Sequence, residues 1–368
     1  MRIAFYAPLK PPTHPVASGD RQVARLLMTA LARNGHDVFL VSELRSYLRV
    51  GGDADEERLR DEARAERERI RDAINTGALK PPDLWFSYHP YYKSPDWLGP
   101  PLCKQLGIPY VTAEASYAGK REQGDWANAQ NDVRAGLKQA AINFHMTLRD
   151  REGLEKAIGH GETLHHLPPF IDVSDIKSHT TRGDGPVRLL TVAMMRDDVK
   201  LRSYEFLADA IAALTTDKLW QLDIAGDGEA RATVEAAFAK VVNVKPIYHG
   251  ALDEAQLRAR YEAADVFVWP GFEEAYGMAF LEAQAHGLPV IALDSGGVSE
   301  VVRDGVSGRL VHCDDAQAFA SALAHLIENV DERERLARGA ASYVRAKHSL
   351  DAAAARLDET LRGLVSNG

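Results

Sequence analysis

Short apolar runs alternate with amphipathic stretches along this chain. IAFYA (3–7) is the first apolar run and PLKPPTHPVASGD (8–20) a breaker-rich loop; Val23, Leu26, Leu27, Ala30 and Leu31 then recur at helical spacing until Gly35. VFLV (38–41) reads as the next strand. Strand, helix and strand within so short a span predict a right-handed parallel crossover, and therefore an open parallel sheet. The pattern resumes with DLWFSY (83–88), GIPYVTAEASY (107–117), a helical stretch over about 125–140, INFHMT (142–147) and HHLPPFIDV (165–173).

The segment SDIKSHTTRGDGPV (174–187) turns polar and carries Gly and Pro, which predicts a linker between two domains. A second alternating series follows. It comprises RLLTVA (188–193), a helix over about 203–214, WQLDIA (220–225), a helix over about 228–240 and PIYHG (246–250). A helix over about 254–263, DVFVWP (265–270), a helix within GFEEAYGMAFLEAQAHGLPV (271–290), PVIAL (289–293) and GRLV (308–311) complete it. The tail after Asp314 is nearly all helical in pattern. Both halves therefore predict the same α/β architecture, although no sequence repeat joins them.

The stretch DADEERLRDEARAERERIRD (53–72) holds nine acidic and six basic residues, many three or four positions apart, so opposite charges can pair along a helix. Its balanced signs predict a solvated helical excursion. The triplet Asp53-Ala54-Asp55 resembles the metal-binding acidic motif of another transferase class, but its charged, loop-to-helix setting argues against a metal.

At 368 residues the chain exceeds one domain of about 100–200 residues, which again favours two. The formal charge of -9 and the lack of a Lys/Arg stretch interleaved with aromatics argue against nucleic acid as a partner. Cys103 and Cys313 stand far apart without CxxC or His-rich company, which predicts free thiols in a reducing compartment and no metal-ligand set. The opening MRIAFYAPLK has no signal-peptide pattern, and no apolar run reaches the roughly 18 residues that span a bilayer. A soluble cytoplasmic protein is expected; peripheral contact with the inner face of a membrane stays open, without a basic amphipathic helix to support it.

In open parallel sheets, ligands bind beyond the carboxyl ends of strands, where amides at helix starts face outward. That rule selects the loops after strands ending near 7, 193, 225 and 269. In SGDRQ (18–22), Gly19 permits close approach of an anion to the helix start; alternatively Ser18 or Asp20 only caps the helix, and Asp20 would itself compete with an anion. In AMMRDDVKLRS (193–203), Arg196 and Lys200 can neutralise a diphosphate or pair with Asp197 and Asp198. In GDGEA (226–230), a third glycine would fall at Arg231, so a dinucleotide fingerprint fails, while Gly226 and Asp227 remain nucleotide-side candidates by position.

The fourth loop, GFEEAYG (271–277), leads from a strand into a helix, so the amides of Ala275, Tyr276, Gly277 and Met278 can face an anion, with Glu274 just before them. Glu282 sits in the middle of that helix among Met278, Ala279, Leu281, Ala283 and Ala285, with little nearby to partner it. An ionised carboxylate left bare there is costly, so Glu282 reaches solvent or meets a cation or hydroxyls. A ribose diol offers two donors to one carboxylate. Glu274, Glu282, the glycine turn and the later SGGVSE (295–300) together point to a nucleotide sugar.

Residues 271–311, GFEEAYGMAFLEAQAHGLPVIALDSGGVSEVVRDGVSGRLV, resemble the signature of family 4 of the retaining GT-B glycosyltransferases, whose hallmark is two glutamates separated by seven residues. Glu274 and Glu282 match that spacing. The resemblance is dense from about 188 to 345 and continues in order through SGDRQVARLLMTALARNGHDVFLVS (18–42) and LHHLPPFIDV (164–173). It implies a GT-B fold, α/β, of two Rossmann-like domains with parallel sheets facing an interdomain cleft. Residues 1–172 would form the acceptor-side domain, 173–345 the nucleotide-sugar domain, and 346–368 a helix crossing back to the first.

By the same resemblance Glu282 binds the ribose hydroxyls, Glu274 the donor sugar's hydroxyls, and the 275–278 amides the sugar and phosphate. Arg196 and Lys200 would bear on the leaving diphosphate, with Gly19 closing over it. Such enzymes need no metal, because fixed cations and helix ends stabilise the departing charge. The donor is a UDP-sugar or GDP-sugar, and the acceptor a saccharide, lipid-linked or small-molecule hydroxyl. The chain departs from the family in three places. Gly19-Asp20 replaces a double glycine; AMMRDDVK displaces Arg196 and Lys200; and Glu114 stands where relatives place a histidine, so that it orients an acceptor hydroxyl, acts as a base or is structural. The rival readings are a sugar-nucleotide epimerase or hydrolase of the same fold, and a nucleotide-sugar-binding protein without chemistry.

Overall fold

Ile3, Ala4, Phe5 and Tyr6 are all buried because β1 (Arg2–Tyr6) lies inside a sheet covered on both faces, the setting in which a parallel strand reads as a continuous apolar run. The structure, a computed structural model, describes residues 1–366 except 17, 53, 162, 177–184, 243, 313 and 314. Asp53 of the acidic triplet, Cys313 and residues 177–184 of the expected linker thus lie outside the described residues. The chain divides into two compact units: Met1–Pro168 with the segment from Leu350 on, and Pro169–Ser349.

In the first unit β1 pairs in parallel with β2 (Asp37–Leu40) and β3 (Leu84–Tyr88), and β4 (Tyr110–Ala113), β5 (Ile142–His145) and β6 (Leu164–His166) continue beyond β3. The order β2-β1-β3-β4-β5-β6 reverses direction between β1 and β3, which makes a topological switch point. The helices are α1 (Gly19–Arg33), α2 (Ala54–Asn75), α3 (Gly99–Leu106), α4 (Ala127–Gln139) and α5 (Leu148–Ile158). Buried Asp96 accepts from Trp85 Nε1 at 3.2 Å, Tyr110 OH at 3.1 Å and the amides of Leu98 and Gly99 at 2.9 and 2.7 Å, tying two strands to the start of α3.

Two helices here escape the periodicity reading. α3 opens Gly-Pro-Pro, where the breakers fit a first turn whose amides need no partner. α5 carries a capping box between Thr147 and Asp150, a local start signal that the surrounding apolar pattern overshadows. A third is a correction. α2 is not solvated all round, because Leu59, Ala63 and Ile70 pack into the core with Tyr6, Trp85 and Trp97. Arg67 Nη1 also donates to Trp97 O at 2.7 Å, and Arg60 pairs with Glu56 at 2.7 Å and Asp132 at 2.6 Å. Three apolar residues on one face suffice for docking, and the density of charge conceals them.

In the second unit the strands are β7 (Val187–Val192), β8 (Trp220–Ala225), β9 (Ile247–Gly250), β10 (Val266–Val268), β11 (Val290–Leu293) and β12 (Gly308–Val311). All are parallel in the order β12-β11-β10-β7-β8-β9, the doubly wound Rossmann arrangement with its switch point between β7 and β10. The helices are α6 (Val199–Ala213), α7 (Arg231–Phe238), α8 (Glu254–Ala263), α9 (Met278–Ala285), α10 (Ala316–Glu328) and α11 (Val330–Lys347).

The last helix, α12 (Leu350–Ser366), belongs to the first unit and packs on α1. Asn34 Nδ2 donates to Ala354 O at 2.9 Å, Arg33 pairs with Asp351 at 3.0 Å, and Leu357 and Leu361 are fully buried. No helix among the described residues is long and apolar enough to cross a membrane.

Because α12 completes the first core, Leu357→Ala and Leu361→Ala should each destabilise that unit by about 2–5 kcal/mol, the usual cost of such a cavity. Calorimetry should show the first unit's transition fall while the second unit's stays in place.

Candidate functional site

In the second unit the chain leaves β10 through Trp269 and Pro270 and reaches α9 by a turn with left-handed backbone at Gly271, Glu273 and Gly277 (φ 73°, 52° and 77°). Gly277 is the N-cap residue of α9 and provides no side-chain cap, so the helix start at Met278 presents amides without one. A turn after β11 holds this loop from behind. Ser295 Oγ accepts from Glu273 N at 3.3 Å, and Gly297 N donates to Glu274 O at 2.8 Å. A Cβ at Gly297 would lie 1.7 Å from Ala275 O, and one at Gly296 2.3 Å from Glu274 O, so only a glycine pair allows the approach.

Glu274 is therefore fixed where β7 and β10 diverge. Its Oε1 accepts from the Lys200 ammonium and, at 3.1 Å, from Trp269 Nε1. The ammonium also lies 5.7 Å from the centre of the Trp269 ring, close enough for a cation–π contribution. Lys200 sits in the first turn of α6, whose N-cap Asp198 accepts from the Lys200 amide at 2.8 Å. Of the two readings open from sequence, the ammonium takes neither Asp197 nor Asp198 but a carboxylate 74 positions away. Arg196 is exposed, with its Nη2 3.1 Å from Met194 Sδ, and is not gathered with Lys200 and Glu274.

Glu282 finds its partner on α8: Tyr261 OH donates to its Oε2 at 3.0 Å. The Tyr261 ring stacks on His286 at 5.0 Å and 19°, and His286 Nδ1 lies 2.8 Å from Glu282 O. Burial pushes the Glu282 carboxyl above its usual range; the Tyr261 hydrogen bond opposes this and Glu254 adds to it.

Gly226 and Asp227 have a structural explanation. A Cβ at Gly226 would lie 1.9 Å from Ala193 O, and one at Gly228 2.3 Å from Met195 O, so glycine lets the loop after β8 lie on the loop after β7. Asp227 pairs with Arg231 at 3.2 Å and accepts from Gly228 N at 2.9 Å. The second glycine of this short motif thus serves loop packing.

The first unit has its own cluster at the carboxyl ends of β1, β3 and β4. Ser18 Oγ caps α1 by accepting from Arg21 N at 3.3 Å, and a Cβ on Gly19 would meet nothing within 4 Å. Asp20 Oδ1 lies 3.2 Å from His89 Nδ1, the first residue after β3. That hydrogen bond holds the Asp20 carboxyl below its usual range despite burial. Glu114, the first residue after β4, has a buried Oε2 without a hydrogen-bond partner among the described residues. Burial drives its pKa up to about 7, against the pull of His89 and of a hydrogen bond from Tyr88. No group of three or more His, Cys, Asp or Glu among the described residues is arranged to hold a metal ion.

Trp269, Tyr261 and His89 are absent from the sequence candidates. His89 was within reach of the strand-end rule, had it been applied to the strand ending at Tyr88. Trp269 stood in DVFVWP beside the glutamate turn. Tyr261 offered no local sign, since it stands in a mostly polar helix of which it is the buried residue.

Residues 186–329 match the family described as Glycosyl transferases group 1. A D-inositol 3-phosphate glycosyltransferase of Corynebacterium urealyticum is 40% identical over 109 residues, which cover 30% of this chain and 26% of that protein. The chain thus spans about a quarter of the length of this curated relative. The whole chain resembles sucrose-phosphate synthase from Thermosynechococcus elongatus with a TM-score of 0.72 at 20% identity, over 100% of both chains. It also resembles Anabaena HepE, solved in complex with UDP, with a TM-score of 0.73 at 14% identity, over 99% of this chain and 100% of that one. These likenesses give the fold as GT-B.

Since Glu282 is easier to bury protonated, the stability it contributes is complete below its unfolded pKa of roughly 4.3 and is lost as pH rises through the higher folded value. Glu282→Gln imitates the protonated form. Without ligand its melting temperature should match the parent's near pH ~4 and exceed it at pH ~8, by roughly 2–4 °C per kcal/mol recovered. A constant offset across that range would show that the carboxylate carries no burial penalty.

Proposed function

We propose that this chain, whose residues 186–329 match the Glycosyl transferases group 1 family, is a retaining, metal-independent glycosyltransferase that moves a sugar from a nucleoside diphosphate sugar to a hydroxyl acceptor. The observation that carries this reading is the Lys200–Glu274–Trp269 arrangement beside the uncapped start of α9, at the Rossmann switch point. It offers an anion site, a cation and a carboxylate in one place.

Each residue has a role in this reading. Glu282 Oε1 binds the ribose hydroxyls while Tyr261 occupies Oε2. The amides of Ala275, Tyr276, Gly277 and Met278 face the sugar and phosphate. Lys200 turns from Glu274 to the donor's diphosphate, which frees Glu274 for the sugar's hydroxyls. Arg196, exposed and apart, is the second cation; a Cβ on Gly19 would meet nothing within 4 Å, which leaves open space at the start of α1. Gly226 and Asp227 shape the neighbouring loop, and the second unit thus takes the donor and the first the acceptor.

In the transfer the bond from the anomeric carbon to the diphosphate oxygen breaks as the acceptor oxygen bonds to that carbon from the same face. The acceptor's proton passes to a diphosphate oxygen. Stabilising the charge on the leaving diphosphate is the main task, because that charge grows toward the transition state. The UDP complex of the structural neighbour favours a uridine donor over a guanosine one. The acceptor we propose is a lipid-linked saccharide of envelope or exopolysaccharide assembly, met at the cytoplasmic side.

A thermal-shift screen of nucleoside diphosphates and their sugars should raise the melting temperature with a uridine or guanosine series, since a ligand of the native state stabilises it. Donor alone should release little nucleotide, which separates transfer from epimerase or hydrolase activity. Glu282→Ala should raise donor KM about tenfold or more, whereas Lys200→Ala should lower kcat about 10²–10³-fold. Unchanged kinetics in both variants would reject these roles.

A further inference from the structure

Among the described residues, left-handed backbone at a non-glycine occurs at His89, Glu114 and Glu273 (φ 57°, 53° and 52°), and all three follow the carboxyl ends of sheet strands. Such positions cost of order 1–3 kcal/mol and persist where the surroundings impose them, typically at functional sites. Glu273 belongs to the donor loop already described. His89 and Glu114 form a separate pair in the first unit, for Tyr88 and Ala113, the residues just before them, are register partners in β3 and β4. His89 N donates to Ala113 O at 2.8 Å and Glu114 N to Phe144 O at 2.9 Å, so the sheet itself holds both turns.

The side chains complement each other. Asp20 engages His89 Nδ1, and Tyr91 stacks on the imidazole at 5.1 Å and 26°, which leaves Nε2 as the ring nitrogen that Asp20 does not engage. Burial alone would keep the ring neutral; the Asp20 hydrogen bond and the charge of Glu114 outweigh it and hold the imidazole more readily protonated than usual. Nearby, the Glu114 carboxyl has the Tyr88 hydroxyl as a hydrogen-bonding neighbour, while its buried Oε2 has no partner within hydrogen-bond distance among the described residues. A second ring nitrogen, a donor in the protonated imidazole, near an acceptor without a partner is what a hydroxyl, which both donates and accepts, or a pair of neighbouring hydroxyls requires.

We propose that Glu114 Oε2 and His89 Nε2 hold the acceptor by adjacent hydroxyls of a neutral sugar ring, with Asp20 as the positioning residue that orients the imidazole. The assignment rests on the glycosyltransferase reading and supplies its acceptor half. Three carboxyls, Asp20, Glu114 and Asp150, surround the one imidazole, so this position selects a neutral polyol and repels a phosphorylated one. The groups facing Glu114 are His89 and Tyr88 at the end of β3, Asp20 at the start of α1 and Asp150 in the first turn of α5; Lys10 faces Asp20 from the preceding loop. Glu114 accepts best as a carboxylate, so acceptor affinity should weaken as pH falls through about 7.

The test uses the full chain with UDP-glucose and measures nucleotide release stimulated by methyl α-D-glucoside, methyl α-D-galactoside and methyl α-D-mannoside, with glucose 6-phosphate as the anionic counterpart. At least one neutral glycoside should stimulate release and the phosphosugar should not. Stimulation by the phosphosugar alone, or by neither class, overturns the assignment. Glu114→Gln should raise the KM for the stimulating glycoside at least about tenfold and flatten its rise below pH ~7; His89→Gln should raise it comparably and Asp20→Asn less. The thermal shift given by UDP, a property of the second unit, should survive in all three variants. An unchanged glycoside KM in variants that still bind UDP means the cluster is structural, and a raised donor KM means it faces the donor. If the parent chain itself shows no shift with UDP or GDP, the glycosyltransferase reading fails first, independently of this cluster.

Discussion

An ammonium and a carboxylate brought together at the switch point of the second sheet set the terms for everything around them. Lys200 and Glu274 are each mostly withdrawn from water, with 23% and 16% of their side-chain surfaces exposed. Either charge alone would carry a desolvation penalty at that depth, and together, with Trp269 Nε1 as a second donor to the carboxylate, they are satisfied. Such a pair is also exchangeable. In the proposed reading a diphosphate would replace Glu274 as the counter-charge of Lys200, and sugar hydroxyls would replace Lys200 as donors to Glu274, so that donor binding would substitute one satisfied set for another.

Holding that pair in register requires backbone that most side chains forbid. The Gly296-Gly297 turn approaches the carbonyls of Glu274 and Ala275 more closely than any Cβ allows, and Gly226 and Gly228 do the same against Ala193 and Met195. Left-handed turns at His89, Glu114 and Glu273 add local strain at strand ends. Continuous buried strands on both sheets supply the stability against which this strain is tolerated. The same compromise appears in Glu282 and Glu114, carboxyls that burial pushes upward and that a core built for stability alone would not contain.

Most of the fold was legible because its signals are local. Buried parallel strands appear as short apolar runs, helices as a 3.6-residue recurrence, and the alternation of the two implies crossovers of one hand. The reading failed where a local signal was masked: breakers at the start of α3, an unnoticed capping box before α5, and charges that hid the core face of α2. Strand limits suffered likewise, since in HHLPPFIDV only the stretch up to His166 is in the sheet; the prolines beyond it cannot donate to a ladder.

For the site, sequence alone determined which residue types stand at strand ends and helix starts, and the spacing of Glu274 and Glu282 that carries the family resemblance. Tertiary structure decided who meets whom: Lys200 with Glu274, Tyr261 with Glu282, and Asp20 with His89, pairs 74, 21 and 69 positions apart. It also set Gly226 against the Ala193 carbonyl, paired Asp227 with Arg231 and left Arg196 exposed. The reason is physical. Periodicity records the face a residue turns to the core, but contacts across a sheet depend on strand order and register, and the pKa of a carboxyl depends on the burial and charges those contacts create.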